Sequence, residues 1–416
     1  MNITKGDVQE LRRRLKKTEC TFGRLCGCYV NSGKQIVTKF TEQFSELEED
    51  EYYKYLEIAK KTFSGTLGAN LLELEFDRSD SGIEHQKYLL TLKDSKLANE
   101  ELLDRLYEQV IEEYSYPGNY LIVVYHDVYD VPSKATSGED QDESTELYAY
   151  CVCAVCPVEL AKPALGYRED ENRIGARERD WVVGLPDLGF VYPAFANRGS
   201  DVNAVMYYVK TGRPSHPEFI ENVLGCVAQR TAAEDKLAFK NVVHDAFGED
   251  EEQADAAFFQ MQKTISAMVA EREEDESLPP VELTAEAVSG LATEAEVPDS
   301  VRAQIEKSYE QVFGDQPPQA HNVLDSRLVE EGTVKAHTAA LEQKVAVLQQ
   351  ELAHQAANAA DADEDDVPWE TGTVIDVRMP QERAVNVHTE VVEGQKCLVI
   401  PLTGDDSARI NGVEVE

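Results

Sequence analysis

Two runs constrain this fold more than any other feature of the chain: Tyr120 to Tyr129 (YLIVVYHDVY) and Glu146 to Val158 (ELYAYCVCAVCPV). Both are rich in the β-branched and aromatic residues that suit a pleated surface, so both are read as strands. Ahead of them, Thr4 followed by Asp7 resembles a helix start, with Val8, Leu11 and Leu15 spaced for one buried helical face. Cys26 to Val30, Asn31-Ser32-Gly33-Lys34 and Gln35 to Phe40 read as strand, tight turn and strand, with Gly33 expected to take the positive φ. Glu48 to Phe63 and Leu97 to Tyr114 carry apolar residues at helical spacing, and Pro117-Gly118 closes the second.

Past the second run, Phe190 to Phe195 and Val202 to Lys210 are expected to add strands. From Pro217 the pattern turns helical, through 219–227, 237–247 and Ala256 to Val269. The polar, acidic stretch Ser133 to Ser144 is expected to be a mobile loop. Strands and helices do not alternate regularly, which predicts an α+β fold. Its parts are a mixed or antiparallel sheet with flanking helices, a helical middle segment and a small C-terminal β unit.

Glu271 to Pro280 (EREEDESLPP) is a charged, proline-ended break. It suggests an α+β body over 1–275, followed by a short helical region over 276–332 with helices near 284–293 and 299–313. A helical and acidic low-complexity linker over 333–368 comes next, and then the β unit over 369–416. Within the linker, Leu341, Val345, Leu348 and Leu352 form a heptad-like stripe of about two heptads, short of the three or four a coiled coil needs but suited to self-association. Ala356 to Asp366 (AANAADADEDD) is too acidic and simple to pack.

Charge narrows the function. Against 40 Lys and Arg stand 79 Asp and Glu, a formal net charge of −39, most of the excess lying beyond residue 212. Such a chain does not coat DNA unless it isolates a cationic surface. No apolar run approaches the roughly 20 residues of a membrane-spanning helix, and the first residues are too charged for a secretory signal. The 8 Cys are therefore expected to be reduced thiols in a cytoplasmic protein.

Three phrases carry a family resemblance: CTFGRLCGCYV (20–30), ENRIGARERDWVVG (171–184) and RMPQERAVNVHTEVVEGQKCLVIPL (378–402). They resemble the uncharacterised domain of unknown function 4317 family over nearly the whole chain, except about residues 334–366, which look like an insertion. The resemblance implies a soluble, intracellular bacterial protein and transfers no catalytic residue. In element order alone the chain also looks like bacterial nucleoid-associated proteins, with no shared motif.

The strongest chemical signal is Arg168, Arg173, Arg177 and Arg179, followed by Trp181. Guanidinium groups grip carboxylates and phosphates in bidentate fashion, and Gly175 would let backbone approach an anion. Glu169, Asp170, Glu171, Glu178 and Asp180 lie among them, so an internal salt-bridge network remains an equal physical reading. A second cluster, Arg12, Arg13, Arg14, Lys16 and Lys17, would contact phosphates from a helix or remain a solvated face. Cys26-x-Cys28 and Cys151-x-Cys153 would meet in a zinc site only if their strands were neighbours; core packing is the expected role, and no metal or cofactor is assigned. His126 and Asp127, adjacent on a strand, point to opposite faces and do not form a couple. No G-x-S-x-G, H-E-x-x-H or G-x-G-x-x-G occurs. These features favour a non-enzymatic binding or scaffold protein. The alternatives are a nucleic-acid-associated factor using both basic clusters, and an enzyme acting on an anionic substrate.

Overall fold

The structure, a computed structural model, describes residues 3–132, 144–273, 280–314 and 316–360, and the tail strands at 375–378, 388–392, 395–400, 407–410 and 413–415. Residues 133–143 of the expected loop Ser133 to Ser144, residues 361–366 of the acidic stretch Ala356 to Asp366, and the turns at Glu393-Gly394 and Asn411-Gly412 lie outside the described residues, while Ser144 belongs to a strand and 356–360 to a helix. The chain forms two compact units, Met1–Val334 and Lys335–Glu416.

The first unit is built on one antiparallel sheet. Its strands are β1 (Arg24–Val30), β2 (Ile36–Gln43), β3 (Leu71–Glu75), β4 (Asn119–Pro132), β5 (Ser144–Leu160), β8 (Trp181–Val183), β9 (Leu188–Tyr192) and β12 (Ala204–Val209). Their order is β2-β1-β4-β5-β9-β12-β3, with β8 added at the end of β5. Two hairpins stand off it, β6 (Leu165–Arg168) with β7 (Arg173–Ala176) and β10 (Ala194–Ala196) with β11 (Gly199–Asp201).

Successive residues of a strand face opposite sides, and here both sides are covered. Ile122, Val124, Cys153 and Val155 pack under α3 (Asp80–Asp94) and α4 (Glu100–Glu113). Leu121, Val123, Tyr125 and Val152 pack under α1 (Lys5–Arg14) and α2 (Glu49–Lys61). That two-sided burial is why β4 and β5 read as unbroken apolar runs instead of alternating ones. A Thr4–Asp7 capping box opens α1, as its sequence predicts. The turn 31–34 differs from expectation: Lys34, at φ 58°, takes the left-handed conformation instead of Gly33. The reason lies in Asn31, whose Oδ1 accepts the Gly33 and Gln35 N–H groups and so fixes the turn from its first residue.

Helices α6 (Ala232–Phe247), α7 (Glu251–Glu273), α8 (Ala285–Glu294), α9 (Asp299–Phe313) and α10 (Ala320–Val323) share a third core. Phe239, Met261, Ile265, Val288, Ile305 and Tyr309 are buried in it, so residues on both sides of the 271–280 break pack together. Between β12 and α6, Pro217–Phe219 opens a short helix (α5), and Ile220–Leu224 continues it as a π turn ending at Gly225.

The last helix, α11 (Ser326–Ala360), continues through most of the stretch 333–368 read as linker. The second unit adds β13 (Ile375–Arg378), β14 (His388–Val392), β15 (Gln395–Val399), β16 (Ser407–Ile410) and β17 (Val413–Val415), paired as β14–β15 and β13–β16–β17. Together the two units make an α+β protein.

Candidate functional site

Of the N-terminal basic cluster, the fold absorbs Arg14 of α1. Leu11 and Leu15 anchor the helix in the core, and this turns Arg14 towards β4, where Nη1 lies 3.2 Å from Asp127 Oδ2. Asp127 is 2% exposed. Its carboxylate also accepts Thr21 Oγ1 at 2.6 Å, the Tyr150 hydroxyl at 2.7 Å and the Val128 N–H at 2.9 Å. The Arg14 guanidinium sits 3.8 Å above the Tyr129 ring. A buried charge is tolerated when paired and saturated with donors, as this one is. Lys16 pairs with Glu19 and Lys17 with Glu49. Arg12 and Arg13 are exposed and, among the described residues, have no carboxylate within ion-pair distance.

The second arginine segment has a different setting. It lies on the β6–β7 hairpin and the strand that follows, an arm tied to the body by the Gly184 N–H to the Pro157 carbonyl and the Ala161 N–H to the Asp180 carbonyl. Register pairs Tyr167 with Ile174 and Leu165 with Ala176, so these four share one face. Arg168 and Arg173 share the other. Both reach Glu171, Arg168 at 3.2 Å, and Arg168 also donates to the Ala176 carbonyl at 2.8 Å. Their guanidinium groups fill the space over Gly175, where an added Cβ would meet Arg173 Nη1 at 3.0 Å. Arg179 donates to the Ala161 carbonyl at 2.6 Å. Among the described residues neither Arg177 nor Arg179 has a carboxylate within ion-pair distance.

What the charges conceal in the sequence is the apolar content of this arm. Leu165 is 76% exposed, Ile174 63%, Tyr167 61% and Trp181 56%, and Val182, Val183 and Leu185 are exposed as well. The signal was the period-two alternation on either side of the Glu169–Asn172 turn.

Cys26, Cys28, Cys151 and Cys153 are buried packing residues. Strand β4 separates β1 from β5, and the register runs Cys26–Val124–Cys153 across the sheet. Two strand spacings of about 4.8 Å put those rows about 9.6 Å apart, whereas sulfurs on one zinc ion lie at most about 4.6 Å apart. Burial raises the thiols, Cys20 to about 11 and Cys28 to about 12, which keeps them protonated and poor ligands. His126 faces the α3–α4 side, where burial lowers its pKa, and Asp127 faces the α1 side.

A cavity of about 220 Å³ opens beside α10, lined by Arg230, Asp235, Gln319 and Asn322 among others. Burial raises the Asp235 pKa against the opposing pull of Arg230, 3.1 Å away. The lining contains no Ser, Cys, His or Lys for nucleophilic chemistry. On α11, Leu341, Val345 and Leu348 are each about half exposed, and the side chain of Leu352 lies outside the described set. Among the described residues no helix is long and apolar enough to cross a membrane.

Comparison with curated proteins and with solved structures gives no match. Two of the phrases that carry the resemblance now have places in the fold: 20–30 leads through Thr21 into β1, and 171–184 forms β7, β8 and the segment between them. A family model described as a domain of unknown function (DUF4317) matches residues 1–413, and the chain belongs to that family.

Proposed function

We propose that this is a non-catalytic binding protein of the bacterial cytoplasm whose arm, residues 165–185, docks a macromolecular partner. One observation carries the reading. The central strands β4, β5, β9 and β12 bury residues on both faces, while within 21 residues the arm leaves seven large apolar side chains in water beside its arginines. Exposed apolar surface on that scale marks interaction sites, and Tyr, Trp and Arg are the residues that most often dominate binding energy.

The test is affinity capture from cell lysate with the intact protein and with Tyr167→Asp/Ile174→Asp, each with and without nuclease. A partner that survives nuclease and is lost from the variant supports arm docking. Identical captures by the two proteins would sink it.

A second reading, contact with nucleic-acid phosphates, is favoured by Arg12, Arg13 and Arg177, which have no carboxylate in reach among the described residues. Each phosphate contact contributes about −0.9 to the slope of log affinity against log salt on duplex DNA. Three contacts therefore predict a slope near about −3. Binding that stays flat with ionic strength excludes this reading.

A further inference from the structure

We infer that the partner docked by the arm is a second copy of this chain, joined through a two-fold contact between apolar hairpin faces. This rests on the docking role proposed above and adds the identity of the partner.

Electrostatics comes first. A molecule of net charge −39 repels its own copies over most of its surface. The arm does not share that charge. Residues 161–185 hold five cationic and five anionic side chains, so the segment is neutral. It is also incompletely paired within itself. Glu171 satisfies Arg168 and Arg173. Among the described residues, Arg177 and Arg179 have no carboxylate in ion-pair reach, and Glu169, Asp170, Glu178 and Asp180 have no cation. A two-fold axis brings one surface against itself, so unpaired charges of both signs on one patch answer each other across it.

Area is the second argument. At up to about 200 Å² for a large side chain, Leu165, Tyr167 and Ile174, 61–76% exposed on one hairpin face, present roughly 350 Å² per copy. A standard protein interface buries about 800 Å² on each partner. The apolar face thus supplies roughly half of such an interface, and the surrounding charged residues supply its rim. The third argument is the hairpin itself. Two isolated strands are marginal in water, and Leu165, Tyr167 and Ile174 have no covering layer. A second hairpin laid face to face supplies one.

Sedimentation velocity on the full chain, from low to high micromolar, tests the inference with three variants: Tyr167→Asp/Ile174→Asp, Arg177→Glu and, as a comparison, Leu341→Glu/Leu348→Glu. The wild-type chain and the α11 variant should dimerise. The hairpin variant should weaken the dimer on the order of 100-fold, the loss of two hot-spot side chains, with an unchanged far-ultraviolet circular dichroism spectrum. Arg177→Glu, which alters no apolar packing, should weaken it about tenfold and so tests the contact even if the double variant misfolds.

A monomeric wild-type chain, or a dimer that persists in the hairpin variant and is lost from the α11 variant, overturns the inference. Failure here is separable from failure of the docking role. A monomeric chain whose hairpin variant still loses a nuclease-resistant partner in capture keeps the docking role without the dimer. Capture unaffected by the hairpin variant removes the docking role as well.

Discussion

Arg14 of α1 and the arginines of the arm meet opposite surroundings. Arg14 lies 113 residues from Asp127 in sequence and 3.2 Å from it in space, 12% exposed at its side chain against 1% for its partner. Arg168 and Arg173 find Glu171 three and two residues away, in water. A long-range pair requires the whole sheet to be in place, and it settles α1 against β4. A local pair needs only a turn and leaves its neighbours available. Charge density along the chain therefore says little about whether an arginine is structural or free to bind; the deciding quantity is where its carboxylate comes from.

Three measurements break or sharpen that contrast. The largest effect is expected from Arg14→Leu, which strands a buried carboxylate and should cost roughly 3–5 kcal/mol of unfolding free energy in a urea titration. A cost under about 1 kcal/mol would place α1 with the arm and dissolve the distinction.

A smaller effect should come from pH. Burial lowers the pKa of His126 and His216, both in the body. The unfolded chain then binds more protons than the folded one as pH falls below about 6.5, and stability drops across that window. His126→Gln should flatten the fall in thermal midpoint between neutral pH and pH 5, whereas arm variants should leave its slope unchanged. The smallest effect belongs to Arg168→Ala and Arg173→Ala. Exposed pairs of this kind contribute about 0.2–1 kcal/mol, so either variant should shift the urea midpoint barely beyond error. A large loss from either would mean that the arm is structural.

Much of the fold was legible because it is local. The β4 and β5 runs, the α4 spacing and the Thr4–Asp7 cap each follow from residues within one element. The parts that escaped depend on distant partners. Strand β3 is five residues, LLELE, and becomes a strand by pairing with β12 more than a hundred residues later. Helix α3 is interrupted by polar residues and gives a weak apolar stripe. At the site, the arginines were visible as letters, but Asp127, the residue that decides the role of Arg14, drew notice only as the neighbour of His126. The alternation Leu165, Tyr167, Ile174, Ala176 was present too. Period two shows that one face is apolar and leaves open whether the fold covers it.

The 113-residue separation between Arg14 and Asp127 also sets an order of assembly. During synthesis α1 leaves the ribosome long before its anchor exists, and Tyr150, which shares that carboxylate, follows later still. The helix must wait, with Leu11 and Leu15 uncovered, until the middle of the sheet has been translated. A nascent chain halted before β4 should therefore expose this segment to proteases and chaperones, and one halted after β5 should protect it.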